Sequence, residues 1–193
     1  SGVITFEGDA SSITNDDIYK AFEGQKGEIN QYPPVYSALK VNGQKMCDLA
    51  RKGKADTIEI KPRKVKIEKI EILNIIENKI LFLVKCSKGT YVRSICHDIG
   101  QYLNCGGHMS FLLRTSSGKF NLENSITLEE LEKYYNDSTL ENYLYDIYYV
   151  LDNFKKVELK DTALKDYRNG VTIDAKRFTN DNLSKNDEYV RSN

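Results

Sequence analysis

Val65-Lys-Ile-Glu-Lys-Ile-Glu-Ile72, with Ile80-Leu-Phe-Leu-Val-Lys-Cys86 close behind it, is the stretch that decides the fold. Apolar and polar residues alternate along both runs, the period of a strand with one buried face. The apolar set changes phase at Glu68-Lys69, which predicts a bulge or bend in the first strand. Glu77-Asn78-Lys79 between the runs predicts a hairpin. After Gly89 the period switches: Tyr91, Ile95, Ile99 and Leu103 recur every four positions, as one face of a helix does.

Working outward, Thr14 followed by Asp17 has the look of a capped helix start, with the helix running through Phe22. Pro33 and Pro34 impose extended chain. Residues 36–41 read as strand, Asn42-Gly43 as a two-residue hairpin turn, and residues 46–52 as a short helix closed by Gly53. Downstream, Gly106-Gly107 ends the long helix, residues 109–113 read as strand, and Ser116-Ser117-Gly118 as a turn. Thr127 with Glu130 is a capping-box pair that opens a helix through Tyr135. The more polar residues 152–193 offer a strand at 156–159, a helix at 162–168 stopped by Gly170, and strands near Val171 and Tyr189. Together these predict an α+β fold: a mainly antiparallel sheet with flanking helices.

The composition, 40% apolar and 29% charged over 193 residues, is that of a globular chain. No apolar run approaches the roughly 20 residues of a bilayer span, and no secretory leader pattern is present. Net charge is zero, yet it is unevenly spread. Residues 40–69 carry ten Lys or Arg against four acids, a local +6, and residues 121–152 carry eight acids against one Lys, a local −7. Such a chain is able to present a basic face to phosphate, although two solvated faces of opposite sign would read the same way. Cys47, Cys86, Cys96 and Cys105 are expected to be reduced thiols in a cytoplasmic protein. Cys105-x-x-His108, with Cys86, Cys96 and His97 nearby, has ligand-like spacing for zinc, but the helical setting of Cys96 favours buried thiols over a metal site.

Three segments carry a resemblance. Gln31-Tyr-Pro-Pro-Val-Tyr-Ser-Ala-Leu-Lys-Val-Asn-Gly43, Cys86-Ser-Lys-Gly-Thr-Tyr-Val-Arg-Ser-Ile-Cys-His-Asp-Ile-Gly100 and Cys105-Gly-Gly-His-Met-Ser-Phe-Leu-Leu-Arg-Thr115 resemble, in order, the Pro-Pro-x-Tyr-Ser-Ala-x-Lys, Lys-Gly-Thr-Tyr-x-Arg and Gly-Ala-His-x-x-x-Leu-x-Arg-Thr motifs of the TruB-type tRNA pseudouridine synthases. The resemblance implies an isomerase that converts the T-loop uridine at tRNA position 55 to pseudouridine, with tRNA as partner, no cofactor and no metal. Isomerisation moves neither electrons nor a donated group, and no obligate protein partner is evident. Such chemistry requires the nucleotide to leave its stack. It also implies a nucleophilic Asp in a Gly-x-Leu-Asp context, which none of this chain's aspartates occupies. That carboxylate is therefore expected outside these 193 residues, and the chain alone is expected to be inactive.

By the same resemblance Tyr91 stands against the target base, Arg93 pairs with the catalytic carboxylate, and Leu112 packs beside the flipped base. Whether Tyr91 and Arg93 point the same way depends on where the helix begins, since residues two apart agree in a strand and not in a helix. Tyr36, Lys40, Arg51, Arg63, Lys64, Lys88, His108 and Arg114 are the candidate RNA-binding positions, although for His108 a structural hydrogen-bonding role is the preferred reading. Residues 1–152 read as the C-terminal portion of a catalytic domain, and residues 153–193 as a partial PUA-like RNA-binding domain. The tyrosines at 134, 135, 143, 145, 148 and 149 lie among acids, which favours packing between the two domains over base stacking. A non-catalytic RNA binder or tRNA-folding module is the alternative reading.

Overall fold

The computed structural model describes residues 4, 6–54, 59–152, 154–179 and 190–192. The backbone gathers into two compact units, residues 1–112 and 113–193. The first is built on the hairpin. β4 (Arg63–Ile76) and β5 (Lys79–Cys86) are antiparallel, joined through Glu77-Asn78 with Glu77 at φ +52°. The bulge predicted at Glu68-Lys69 lies between Ile67 and Lys69, and a second irregularity lies between Ile72 and Asn74. Two extra residues are thus taken up along one strand, so Ile67, Ile70, Ile72 and Ile75 share a face despite spacings of three, two and three.

β1 (Gly27–Gln31) pairs antiparallel with the other edge of β4, giving the order β1-β4-β5. α1 (Asn15–Glu23), opened by a Thr14–Asp17 capping box, and α3 (Val92–Tyr102) supply the other side of the core. Ile18, Ala21 and Phe22 meet Ile67, Ile70, Ile95 and Ile99 there, and Phe22 meets Phe82 edge-on at 5.1 Å. Each buried Ile or Phe side chain contributes roughly 1.5–3 kcal/mol relative to exposure, which makes this face the main source of the unit's stability.

Between β1 and β4, β2 (Lys40–Val41) and β3 (Gln44–Lys45) flank Asn42-Gly43, both at positive φ (+50° and +81°), the geometry of a mirror-image two-residue turn. α2 (Met46–Arg51) follows at once. Its N-cap, Lys45, has no side chain able to cap. The Met46 and Cys47 N–H groups donate instead to the carbonyls of Leu39 (2.7 Å) and Ser37 (3.1 Å). This corrects the strand expected over residues 36–41. Its carbonyls serve the helix start rather than a ladder, and only Lys40–Val41 remains strand.

At the far end of α3 the chain turns back on the helix. Cys105 and Gly106 N–H both donate to the Gly100 carbonyl, at 3.2 and 3.1 Å. A Cβ on Gly100 would stand 2.2 Å from Gly107 N, and one on Gly107 would stand 2.5 Å from the Cys96 carbonyl oxygen. This is backbone against backbone, which only glycine allows. The strand expected at residues 109–113 does not form. Among the described residues it has no ladder partner, and Phe111, Leu112 and Leu113 are exposed.

The second unit holds β6 (Ser116–Ser117) and β7 (Phe120–Asn121) around Gly118, then α4 (Leu128–Asn136), which Thr127 and Glu130 cap reciprocally. α5 (Ile147–Leu151), β8 (Lys155–Val157), α6 (Asp161–Arg168) and β9 (Val190–Ser192) follow, β8 and β9 pairing in parallel. Val171 is exposed and outside any strand, against expectation; Tyr189 lies outside the described residues. Four of the six tyrosines expected between domains find ring partners inside this unit. Tyr134 stacks on Tyr143 with centroids 3.9 Å apart, and Tyr145 and Tyr149 gather on Phe120. No helix among the described residues is long and apolar enough to cross a membrane.

Gly100→Ala should lower the midpoint of urea unfolding by the equivalent of about 1–3 kcal/mol or more, since its methyl meets backbone that has nowhere to move. An unchanged midpoint would contradict the close approach of Gly100 to Gly106-Gly107.

Candidate active site

The first four N–H groups of any helix lack partners within it. α3 begins at Val92 with Tyr91 as its N-cap, extended at φ −102° and ψ 109°, and with no side-chain cap of its own. Its partners come from sixty residues away. Gln31, the last residue of β1 and 2% exposed, accepts the Tyr91 N–H at its Oε1 (2.7 Å). The same amide donates from Nε2 to the Tyr91 carbonyl (3.1 Å). Ser94 Oγ donates to the Tyr32 carbonyl at 2.8 Å, and Arg93 Nη2 donates to the Tyr36 carbonyl at 3.0 Å. Pro33 and Pro34 hold the intervening chain extended, so these carbonyls are presented along one side of the helix start.

The first two quoted segments therefore meet at a single helical turn, and the third is held at the other end of the same helix by Gly100 and Gly107. Because Tyr91 precedes the helix, it does not continue the Ile95–Ile99 face. Those isoleucines are buried, while Tyr91 is half-buried and Arg93 exposed at the rim. Among the described residues the Tyr36 carbonyl is the one hydrogen-bond partner of Arg93, made through Nη2 alone. A guanidinium carries five donors, so one bond orients it while leaving a fork suited to a carboxylate or phosphate.

The remaining candidates are spread more widely. Leu112 is 51% exposed, in the irregular chain after Gly107. His108 is exposed and makes no hydrogen bond among the described residues, so the hydrogen-bonding structural role expected for it is not observed. Arg114 is exposed and belongs to the second unit. Tyr36 is 58% exposed, its carbonyl tied to Arg93. Lys40 sits on β2 in register with Lys45. Arg63 and Lys64 open β4 opposite Gln31 and Asn30. Lys88 is exposed in the turn before α3, and Arg51 pairs with Asp48 on α2 at 3.3 Å. Gln31, Ser94 and Gly100 were not singled out from sequence, and Gly107 was read only as a helix breaker. Each was visible inside a quoted segment, but nothing local tells that Gln31 faces a helix sixty residues on.

Burial pushes the Cys96 thiol above the ordinary range, an inert rather than a reactive setting. Among the described residues, no three or more His, Cys, Asp or Glu gather closely enough to hold a metal. Asp98, also on α3, has its carboxyl pushed up by burial, against a smaller opposing pull from His97.

Two family models match in succession: the N-terminal domain of TruB family pseudouridylate synthases over residues 1–92, and the C-terminal domain of tRNA pseudouridylate synthase B over residues 93–153. The chain belongs to the TruB family. It is 61% identical over 191 residues to tRNA pseudouridine synthase B of Clostridioides difficile, covering 99% of this chain and 64% of that protein. To the protein of the same name from Clostridium tetani it is 37% identical over 186 residues, covering 96% and 62%. The chain thus spans less than two thirds of the length of these curated relatives. Its fold is similar to a chain in the crystal structure of a Cbf5-Nop10-Gar1 complex, with TM-score 0.67 and 30% identity, covering 87% of this chain and 48% of that one. Both likenesses agree with the expected α+β class. The junction between the two family models, 92/93, falls within the helical turn that Gln31, Tyr32 and Tyr36 hold.

The raised Asp98 pKa fixes a sign. The folded state favours the neutral carboxyl, so it holds the proton to higher pH than the unfolded chain does. Stability from this group is greatest at low pH and declines as pH rises through the unfolded and then the folded value. Relative to the parent, Asp98→Asn should gain unfolding stability as pH rises through the carboxylate range, then hold a constant advantage. A difference that is flat with pH would contradict the burial of Asp98.

Proposed function

We infer that the whole protein isomerises a uridine of tRNA to pseudouridine, at the T-loop position that the resemblance names. The observation that supports this most is the clamped start of α3, where a half-buried tyrosine and, two residues on, an exposed arginine are each tied to the Gln31–Tyr36 segment. A base drawn out of its stack needs an aromatic or apolar wall, and Tyr91 and Leu112 are the residues proposed to supply it. Tyr91 adds a hydroxyl able to pass a proton. Arg93 is proposed to orient the nucleophilic carboxylate and keep it ionised, using the donors its Tyr36 bond leaves over. In this reading that carboxylate is the Asp of the Gly-x-Leu-Asp context that the resemblance implies.

tRNA is the proposed partner, approached in the cytoplasm. Lys40 and Lys45 face each other across the β2–β3 hairpin, and like charges directly opposite repel unless an anion lies between them. With Arg63, Lys64 and Lys88 also exposed, phosphate contacts are the natural counter-charge. The segment from 153 onward, beyond the second family model, is proposed as part of a PUA-like module gripping the same RNA.

In the full-length protein, Tyr91→Ala and Arg93→Ala should each abolish pseudouridine formation while tRNA affinity stays within a few fold; product at the parent rate from either would refute these roles. tRNA affinity should also fall steeply with added salt, and Lys40→Ala with Lys45→Ala should reduce the slope of log K against log salt by about 1–2. A slope unchanged by the pair would remove the hairpin from the RNA surface.

A further inference from the structure

We propose that Gln31 is the positioning residue for Tyr91. The inference rests on the reading that Tyr91 serves the reaction. It begins with a geometric point about backbone. In a helix the N–H and C=O of one residue point in opposite directions along the axis, so a single side-chain amide cannot bond both. In extended chain the two groups of one residue point to the same side, spaced as in a β ladder. Gln31 bonds both groups of Tyr91, with 2.7 Å at its oxygen and 3.1 Å at its nitrogen. Its amide therefore selects the extended conformation at residue 91 and forbids α3 from growing back by one residue.

The consequence is directional. Adding Tyr91 to the helix as its first residue would turn its side chain by the helical step, about 100° per residue. Held extended, it precedes the helix rather than continuing its buried face, and Arg93, two residues on, has its own side chain tied to the Tyr36 carbonyl. Gln31 also fills a chemical gap. In a capping box the third helical residue reaches back to the N-cap N–H. Here that residue is Ser94, whose hydroxyl is committed to the Tyr32 carbonyl, and Gln31 takes the N–H in its place. A glutamine 2% exposed, with both ends of its amide bonded to the same distant residue, is placed to define that residue's geometry.

The test uses Gln31→Leu and Gln31→Glu in the full-length protein, with steady-state kinetics on tRNA. Leucine fills the space and loses both bonds. The expected result is a kcat lower by roughly 10–100-fold with KM within about threefold, since displacement of an ångström costs rate rather than binding. Protonated glutamate reproduces both bonds, whereas ionised glutamate turns an anion toward the Tyr91 carbonyl. Its rate relative to the parent at the same pH should therefore climb as pH is lowered. The acidic and basic side chains on the elements meeting Gln31 are Arg63, in register with it, and Lys64, Lys66, Glu68, Lys69 and Glu71 on β4, with Arg93, His97 and Asp98 on α3. The parent carries the same groups, so the ratio to the parent at each pH isolates residue 31.

A Gln31→Leu kcat within twofold of the parent, or a loss confined to KM, overturns the proposal. So does a Gln31→Glu ratio that is flat with pH. If the leucine variant fails to fold, the pH response of the glutamate variant decides alone. Tyr91→Ala separates the two levels. Parent activity in that variant sinks the role of Tyr91 itself, whereas an inactive Tyr91→Ala beside fully active Gln31 variants sinks only the positioning role.

Discussion

An α-helix must find partners for its first N–H groups, and the way α3 meets that demand organises the first unit. No capping side chain stands at its start, so the burden passes to a segment distant in sequence. Gln31 takes the Tyr91 N–H and supports its carbonyl, while the side chains of Ser94 and Arg93 donate to the Tyr32 and Tyr36 carbonyls and so tie the helix start to the same segment. A net value of about 0.5–1.5 kcal/mol per hydrogen bond understates the effect, because a buried amide left unpaired costs about 1–3 kcal/mol. Gln31 is thus costly to remove and specific in what it accepts. The same bonds that complete the helix also set the direction of Tyr91 and Arg93, so local stability and site geometry have one cause.

The other end of α3 is fixed by a different kind of contact. There the helix and the chain after it approach backbone to backbone, through Gly100 and Gly107, where any side chain would collide. With Ile95 and Ile99 buried against the sheet between these two ends, the helix is constrained along its whole length. A tyrosine and an arginine mounted on such an element are held more precisely than loop residues would be. Leu112, by contrast, stands on irregular, exposed chain.

Charge is distributed with a similar division of labour. The lysines and arginines of residues 40–69 are exposed on the small hairpin, on α2 and on β4, and the acids of residues 121–152 lie in the second unit. Lys85 and Glu68, and Lys69 and Glu71, pair across and along the β4–β5 surface, with Lys85 drawing the Glu68 carboxyl below its usual range. Such exposed pairs add little to stability. They do leave Arg63 and Lys64, at the β1 end of the sheet, as the part of the basic run nearest in register to the Gln31 junction.

Periodicity alone determined the hairpin, its first bulge and the amphipathic helix after it, and residue identity marked the helix start at Thr14 and the capping box at Thr127, because each depends on residues within a few positions of one another. That Asp17 completes a box with Thr14 came from the structure. Residue identity in three ordered segments was enough to indicate the family. The second bulge was harder to read, since Leu73, Ile75 and Ile76 are all apolar and give no clear alternation. The strands expected at residues 36–39 and 109–113 failed for a shared reason: a strand exists only where another strand accepts its hydrogen bonds, and here the carbonyls of Ser37 and Leu39 serve a helix start while residues 109–113 have no ladder partner among the described residues. Only the tertiary structure decided where α3 begins, and with it the direction of Tyr91. That boundary is set by a glutamine amide arriving from β1, a partner that no local pattern around residue 91 encodes.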